Sequence, residues 1–111
     1  MQPEKLIENE ILAWLRMINV FSFKVDRQGT FDPVRRVHRK NHNPYKIRGV
    51  SDVLGCLPDG RMLAIEVKTS TGRLSPHQRL FIDRVNLNGG LAFVARSLDD
   101  VKEKLKGLIN E

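Results

Sequence analysis

A chain of 111 residues, 41% of them hydrophobic, has material for one domain around one core, and a second domain is not expected. It holds no run of eighteen apolar residues and no charged stretch leading into an apolar one, so the sequence supports neither a membrane span nor a signal peptide and reads as cytoplasmic. The net charge of +6 points to an anionic partner such as nucleic acid, and the single cysteine, Cys56, excludes an internal disulfide and a cysteine-based zinc site.

Residues 3–18 read as a helix, because Ile7, Ile11, Trp14, Leu15 and Ile18 recur on one face. Glu4 and Glu8 fall on the edge of that face, beside Ile11, Leu12 and Leu15, where a carboxylate either looks toward the core or snorkels to water. Val20 to Val25 forms a strand, followed by a turn at Gln28-Gly29 and a long loop broken by Pro33 and Pro44. Between Pro33 and Ser51 stand Arg35, Arg36, Arg39, Lys40, Lys46 and Arg48 with no acid among them, so this segment alone accounts for the net +6. A charge run is as often a solvated face as a binding surface, but a loop of this length is usually functional, and this one leads directly to Asp52. His38 and His42 lie within it as phosphate or solvent contacts, and no histidine pair has metal-ligand spacing.

Two strands, 51–57 and 61–68, are joined by Pro58-Asp59-Gly60 into a hairpin, with Cys56 expected as a buried structural thiol. The second strand carries the apolar run Met62-Leu63-Ala64-Ile65 into Glu66-Val67-Lys68. Alternation puts Glu66 and Lys68 on one face and Leu63, Ile65 and Val67 on the other. A carboxylate and an ammonium beside a hydrophobic layer need partners or a metal, and a divalent cation between Asp52 and Glu66 would meet that need. Ser75-Pro76-His77-Gln78 starts a helix with a capping box; it runs to about Leu87 with Phe81, Ile82 and Val85 inward and ends at Asn88-Gly89-Gly90. Leu91 to Ala95 is a short buried strand, and a last helix from Ser97 carries the stripe Leu98, Val101, Leu105 and Leu108. Trp14 and Phe81 sit on apolar stripes and read as core, not as a platform for bases. The order makes an α/β sandwich around a mixed sheet, with the helix at 75–88 as the crossover.

An Asp followed on the next strand by Glu-x-Lys, in this element order, resembles the restriction-endonuclease-like PD-(D/E)XK superfamily. More closely, Arg48-Gly49-Val50-Ser51-Asp52-Val53-Leu54-Gly55, Ile65-Glu66-Val67-Lys68, Gly72-Arg73-Leu74-Ser75-Pro76-His77-Gln78 and Gly89-Gly90 are similar to the VRR-NUC family, over nearly the whole chain. The resemblance implies a restriction-endonuclease-like sandwich: a central mixed four-stranded sheet flanked by helices, in the order αβββαβ plus a C-terminal helix. It further implies a Mg²⁺-dependent DNA endonuclease that accepts Mn²⁺, selects branched DNA in the manner of a Holliday-junction resolvase, and acts as a phage-type stand-alone homodimer in the cytoplasm of a bacterial or phage-infected cell. Two positions depart from the family pattern: Ser51 stands where a proline commonly precedes the aspartate, and the first helix carries Glu4 and Glu8 in place of an acid and a glutamine four apart.

Phosphodiester hydrolysis needs an activated water and stabilisation of charge on phosphorus, and hard oxygen ligands suit Mg²⁺ for both. Asp52 and Glu66 are the expected ligands, with the Val67 carbonyl a further one, and Lys68 orients or deprotonates the water. Either Glu8 or Glu4 holds a water or a second ion. Gln78 either positions Lys68 or the water, or only closes its capping box. Arg35, Arg36, Arg39, Lys40, Lys46, Arg48 and Arg73 are the expected contacts to the nucleic-acid backbone. An inactive nucleic-acid-binding module is disfavoured because Asp52, Glu66 and Lys68 are all present. An RNA-directed nuclease stays open, since phosphate contacts do not distinguish the sugars.

Overall fold

Period-two and period-3.6 apolar patterns resolve into three layers. The structure, a computed structural model, describes residues 3–26, 30–32, 37–39 and 44–109, with 30–32 and 37–39 described by their backbone. In chain order the elements are α1 (Glu4–Met17), β1 (Phe21–Lys24), β2 (Thr30–Asp32), β3 (Val37–Arg39), β4 (Val53–Cys56), β5 (Met62–Val67), α2 (Pro76–Leu87), β6 (Leu91–Ala95) and α3 (Leu98–Leu105). Strands β1, β4, β5 and β6 form one sheet in that order, antiparallel except for the parallel β5–β6 pair. Parallel neighbours need a crossover, and α2 supplies it. The expected α/β sandwich, with its mixed four-stranded sheet between helices, is what the chain forms. The small antiparallel pair β2–β3 lies in the segment expected to be loop; strands of three residues are too short for alternation to register. No helix among the described residues is long and apolar enough to cross a membrane.

Both faces of β5 are covered, which explains why its sequence reads as a nearly continuous apolar run. Leu63, Ile65 and Val67 pack with Ile7, Ile11 and Leu15 of α1 and Val101 and Leu105 of α3. Ala64 packs on the other side with Phe81, Ile82 and Val85 of α2 and Ala92 of β6. Trp14 and Phe81 are core residues, as their stripes indicate. Leu108 departs from its stripe and is exposed, because α3 ends at Leu105 and the chain turns through Gly107 at φ +81°. Cys56 is a correction. It is exposed, since it closes β4 opposite Phe21 on the outermost strand, where the apolar sequence around it gives no sign of the sheet's limit.

Gly49 is needed where it stands. Its φ is +77°, and a Cβ there would lie 2.3 Å from the carbonyl carbon of His77 and 2.4 Å from its oxygen. The approach to β4 is therefore pressed against the first turn of α2. Gly49→Ala combines left-handed backbone strain with a backbone clash and is expected to cost roughly 2–3 kcal/mol in urea denaturation. A loss below about 0.5 kcal/mol, the range of ordinary surface changes, would show that the two segments do not touch.

Candidate active site at the end of the sheet

The register of the hairpin brings the expected residues together. Val53 pairs with Ile65, so Asp52, one step earlier, comes level with Glu66. Successive N–H groups along a strand alternate between its two neighbours. The Lys68 N–H donates to the Ala95 carbonyl of β6 at 3.0 Å, so the Val67 N–H turns toward β4, and there Asp52 Oδ2 accepts it at 2.8 Å. The Asp52 carboxylate thus takes the place of a backbone acceptor at the last rung of the ladder. Val67 presents its carbonyl to the same side as its N–H. Glu66 is 1% exposed, on the α2 side with Ala64, and Lys68 Nζ stands 3.8 Å from its Oε2. That ion pair offsets part of the cost of burying the carboxylate.

Of the two acids on α1, Glu8 is the buried one, at 7% exposure, while Glu4 is half-buried in the first turn. Burial raises the Glu8 pKa above its usual value; the Lys24 ammonium opposes that rise, and the charges of Asp52 and Glu4 add to it. The influence of Asp52 ties α1 electrostatically to the strand carboxylates. Lys24 Nζ lies 3.6 Å from Glu8 Oε1, outside hydrogen-bond range, and that buried oxygen has no hydrogen-bond partner. Ser51, also buried, has an Oγ in the same condition. Lys24 was not singled out by the sequence. Its signal was an isolated cation in Phe21-Ser22-Phe23-Lys24-Val25, on the opposite face from the two phenylalanines.

Hard oxygens dominate this end of the sheet: Asp52, Glu66 and Glu8 carboxylates and the Val67 carbonyl. Among the described residues no three His, Cys, Asp or Glu side chains form a group that could by itself hold a metal ion. Mg²⁺ does not require one, because it keeps several of its waters and takes only one or two carboxylates. A buried carboxylate oxygen without a hydrogen bond, at Glu8, is what a cation or its water shell would satisfy, and the donor set fits a hard divalent ion.

The remaining site expectations fall in different places. Gln78 closes the capping box, its Oε1 accepting from the Ser75 N–H at 2.9 Å while the Gln78 N–H donates to Ser75 Oγ at 3.1 Å. Lys46, Arg48 and Arg73 are exposed. Arg35, Arg36 and Lys40, with His42, lie outside the described residues, as do the side chains of His38 and Arg39.

The model of the VRR-NUC domain family matches residues 15–99 of this chain. Two solved structures share its fold. One, a VRR-NUC domain, superposes with a TM-score of 0.65 at 19% identity over 94% of this chain and 95% of its own. The other, a VRR-NUC domain protein, gives a TM-score of 0.69 at 16% identity over 96% of this chain and 88% of its own. Comparison with curated proteins gives no match.

Proposed function

Since the chain belongs to the VRR-NUC family, a nuclease-type family whose substrate is nucleic acid, we propose that it is a Mg²⁺-dependent endodeoxyribonuclease, selective for DNA structure and dimeric. The observation that carries the proposal is the nearly inaccessible Glu66, paired with Lys68 and level with an Asp52 already fixed on the Val67 N–H. Asp52, Glu66 and the Val67 carbonyl would hold the cation, and Glu8 would hold one of its waters. When bound, it supplies Lewis-acid polarisation of a phosphoryl oxygen, and Mn²⁺, with similar ligand preferences, is expected to substitute. Lys68 keeps a positive charge beside the phosphate as negative charge develops, and orients the attacking water. In the hydrolysis a water oxygen bonds to phosphorus and gives up a proton, the bond to the leaving sugar oxygen breaks, and that oxygen takes up a proton. The test is a panel of branched, flapped, nicked and linear DNAs, with RNA counterparts, incubated with Mg²⁺ and mapped for product ends. Cleavage of RNA alone would sink the deoxyribonuclease reading.

Lys46 and Arg48 precede Asp52 and Arg73 follows Lys68, so the exposed cations bracket the site along the chain. Changing all three to glutamine is expected to reduce the slope of log affinity against log salt by roughly 2–3 units, at about 0.9 per phosphate contact. An unchanged slope would make these side chains merely solvated.

Two cuts on a branched substrate call for two sites, and a two-fold dimer supplies them. The surface we assign to the second copy is the β1 side of the sheet, where Phe21 and Phe23 are 68% and 46% exposed with ring centroids 5.8 Å apart. Cys56, opposite Phe21, and Met62, opposite Cys56, continue this apolar row. Phe21→Glu is expected to convert a dimer to a monomer in light scattering; a wild-type monomer with and without DNA would refute the dimer.

A further inference from the structure

Lys68 is held from outside its own strand. The residue after β6, Arg96, donates from Nη1 to the Thr69 carbonyl at 2.6 Å and the Gly72 carbonyl at 2.7 Å. Both carbonyls belong to the turn that follows Lys68, which is closed internally by the Gly72 N–H donating to Thr69 Oγ1 at 3.2 Å. The turn in turn packs on the lysine. A Cβ placed on Gly72 would lie 3.3 Å from Lys68 Cδ and 3.4 Å from Lys68 Cβ, so the turn at Gly72 runs beside the lysine stem with little space for a side chain between them. Arg96 is itself anchored, its N–H donating to Asp100 Oδ2 at 2.8 Å in the first turn of α3, and its neighbour Ala95 accepts the Lys68 N–H.

From these contacts we infer that Arg96 is a positioning residue for Lys68: it clamps the 69–72 turn against the lysine stem and so fixes where the ammonium stands relative to Glu66. The inference rests on the nuclease reading for its consequence, but its geometry is independent of it. A planar guanidinium suits the task because its Nη1 directs hydrogens at both carbonyls in fixed directions; a lysine ammonium also has several donors and can hold the carbonyls, but less rigidly. Just beyond the turn, Leu74 packs with the α2-side cluster, so the Arg96 bonds join a segment already seated at its far end. A displacement of about 1 Å in a catalytic group can reduce rate roughly 10²-fold without touching binding.

The experiment compares wild type, Arg96→Ala, Arg96→Lys, Lys68→Ala and the double Lys68→Ala/Arg96→Ala variant, using the DNA cleaved best in the panel. Arg96→Ala is expected to lower kcat about 10- to 100-fold with KM within about twofold. Arg96→Lys should recover part of the loss, and the double variant should be no slower than Lys68→Ala, since one residue acts through the other. A parallel fall in affinity, no recovery by lysine, or an additive double variant would overturn the inference and make Arg96 a DNA contact or a purely structural residue. The second measurement needs no turnover. Lysine-selective ¹³C NMR, with the Lys68 signal assigned by its loss in Lys68→Ala, should show that signal moving toward those of exposed lysines in Arg96→Ala. An unmoved signal rejects the positioning role. If wild type cleaves nothing while the signal moves, the nuclease reading fails and the positioning of Lys68 stands.

Discussion

Glu66→Gln is expected to slow metal-dependent cleavage by about 10³-fold or more while leaving the melting temperature the same or higher. A Lewis-acid contribution of several kcal/mol lies behind that figure, at 1.36 kcal/mol per decade of rate. Glutamine keeps the volume of the side chain, so the apolar cluster around Ala64 and Phe81 is not opened. What is lost is the charge: a neutral amide is a poor ligand for a hard divalent ion and leaves Lys68, 3.8 Å away, without its counter-charge. The fold gives up little, because a buried carboxylate carries a desolvation cost that its ion pair only partly offsets. Single-turnover cleavage and thermal melting on the same preparation separate the two effects. Wild-type rates in Glu66→Gln would remove the carboxylate from the chemistry; a collapsed melting transition would show that Glu66 is held for packing.

The second large effect is expected at Glu8, and its signature is a dependence on pH and metal. Burial, opposed by Lys24 and reinforced by Asp52 and Glu4, raises the Glu8 pKa. A carboxyl whose folded pKa is raised binds its proton more tightly in the folded state than in the unfolded one. The stability this gives is fully present below the unfolded glutamate pKa and is lost as pH rises through the higher folded value. At neutral pH the ionised side chain is therefore a burden, and Glu8→Gln should be more stable than wild type by about 1 kcal/mol, the low end of the cost of a buried unsatisfied acceptor. In acid, where wild type is already protonated, the difference should vanish. Millimolar Mg²⁺ should stabilise wild type at neutral pH and do so less in Glu8→Gln, because a ligand that binds only the folded chain raises its stability by mass action. Glu4→Gln, at a half-buried position, should change neither. Equal metal-induced shifts in all three proteins would place α1 outside the site.

Much of this end of the molecule was legible because strand alternation and hairpin chemistry act locally. Pro58-Asp59-Gly60 announced the turn, and the two apolar runs it joins carry Asp52 and Glu66 on neighbouring strands; their register is a finding of the structure. The capping box of α2 was equally readable, since Ser75 and Gln78 meet within one helical turn. Other features lie at long range in the chain. Lys24 meets Glu8 across a helix and a strand, and Arg96 meets Thr69 and Gly72 across α2 and β6, so no spacing rule reports either. The two α1 acids looked equivalent on a helical wheel. They differ because α1 packs on the sheet along Ile7, Ile11 and Leu15, which carries Glu8 inward and leaves Glu4 at the rim. Cys56 was misread for a related reason: an apolar strand announces burial, but not which of its residues lies beyond the covering helix.

At the opposite pole of β5 from the carboxylates, roughly 20 Å away for six residues of strand, the hairpin closes on itself. The Leu57 N–H donates to the Arg61 carbonyl at 2.8 Å, and Asp59 receives both the N–H and the Nε of Arg61 at 3.0 and 2.8 Å. These bonds are internal to residues 57–61, and Pro58, Asp59 and Gly60 are exposed. Such a turn is a permissive graft point: a fluorophore or a short affinity epitope can leave the chain at Asp59–Gly60 away from the end of the sheet where nucleic acid is proposed to bind. The molecule thus offers an engineer a handle set apart from its working end.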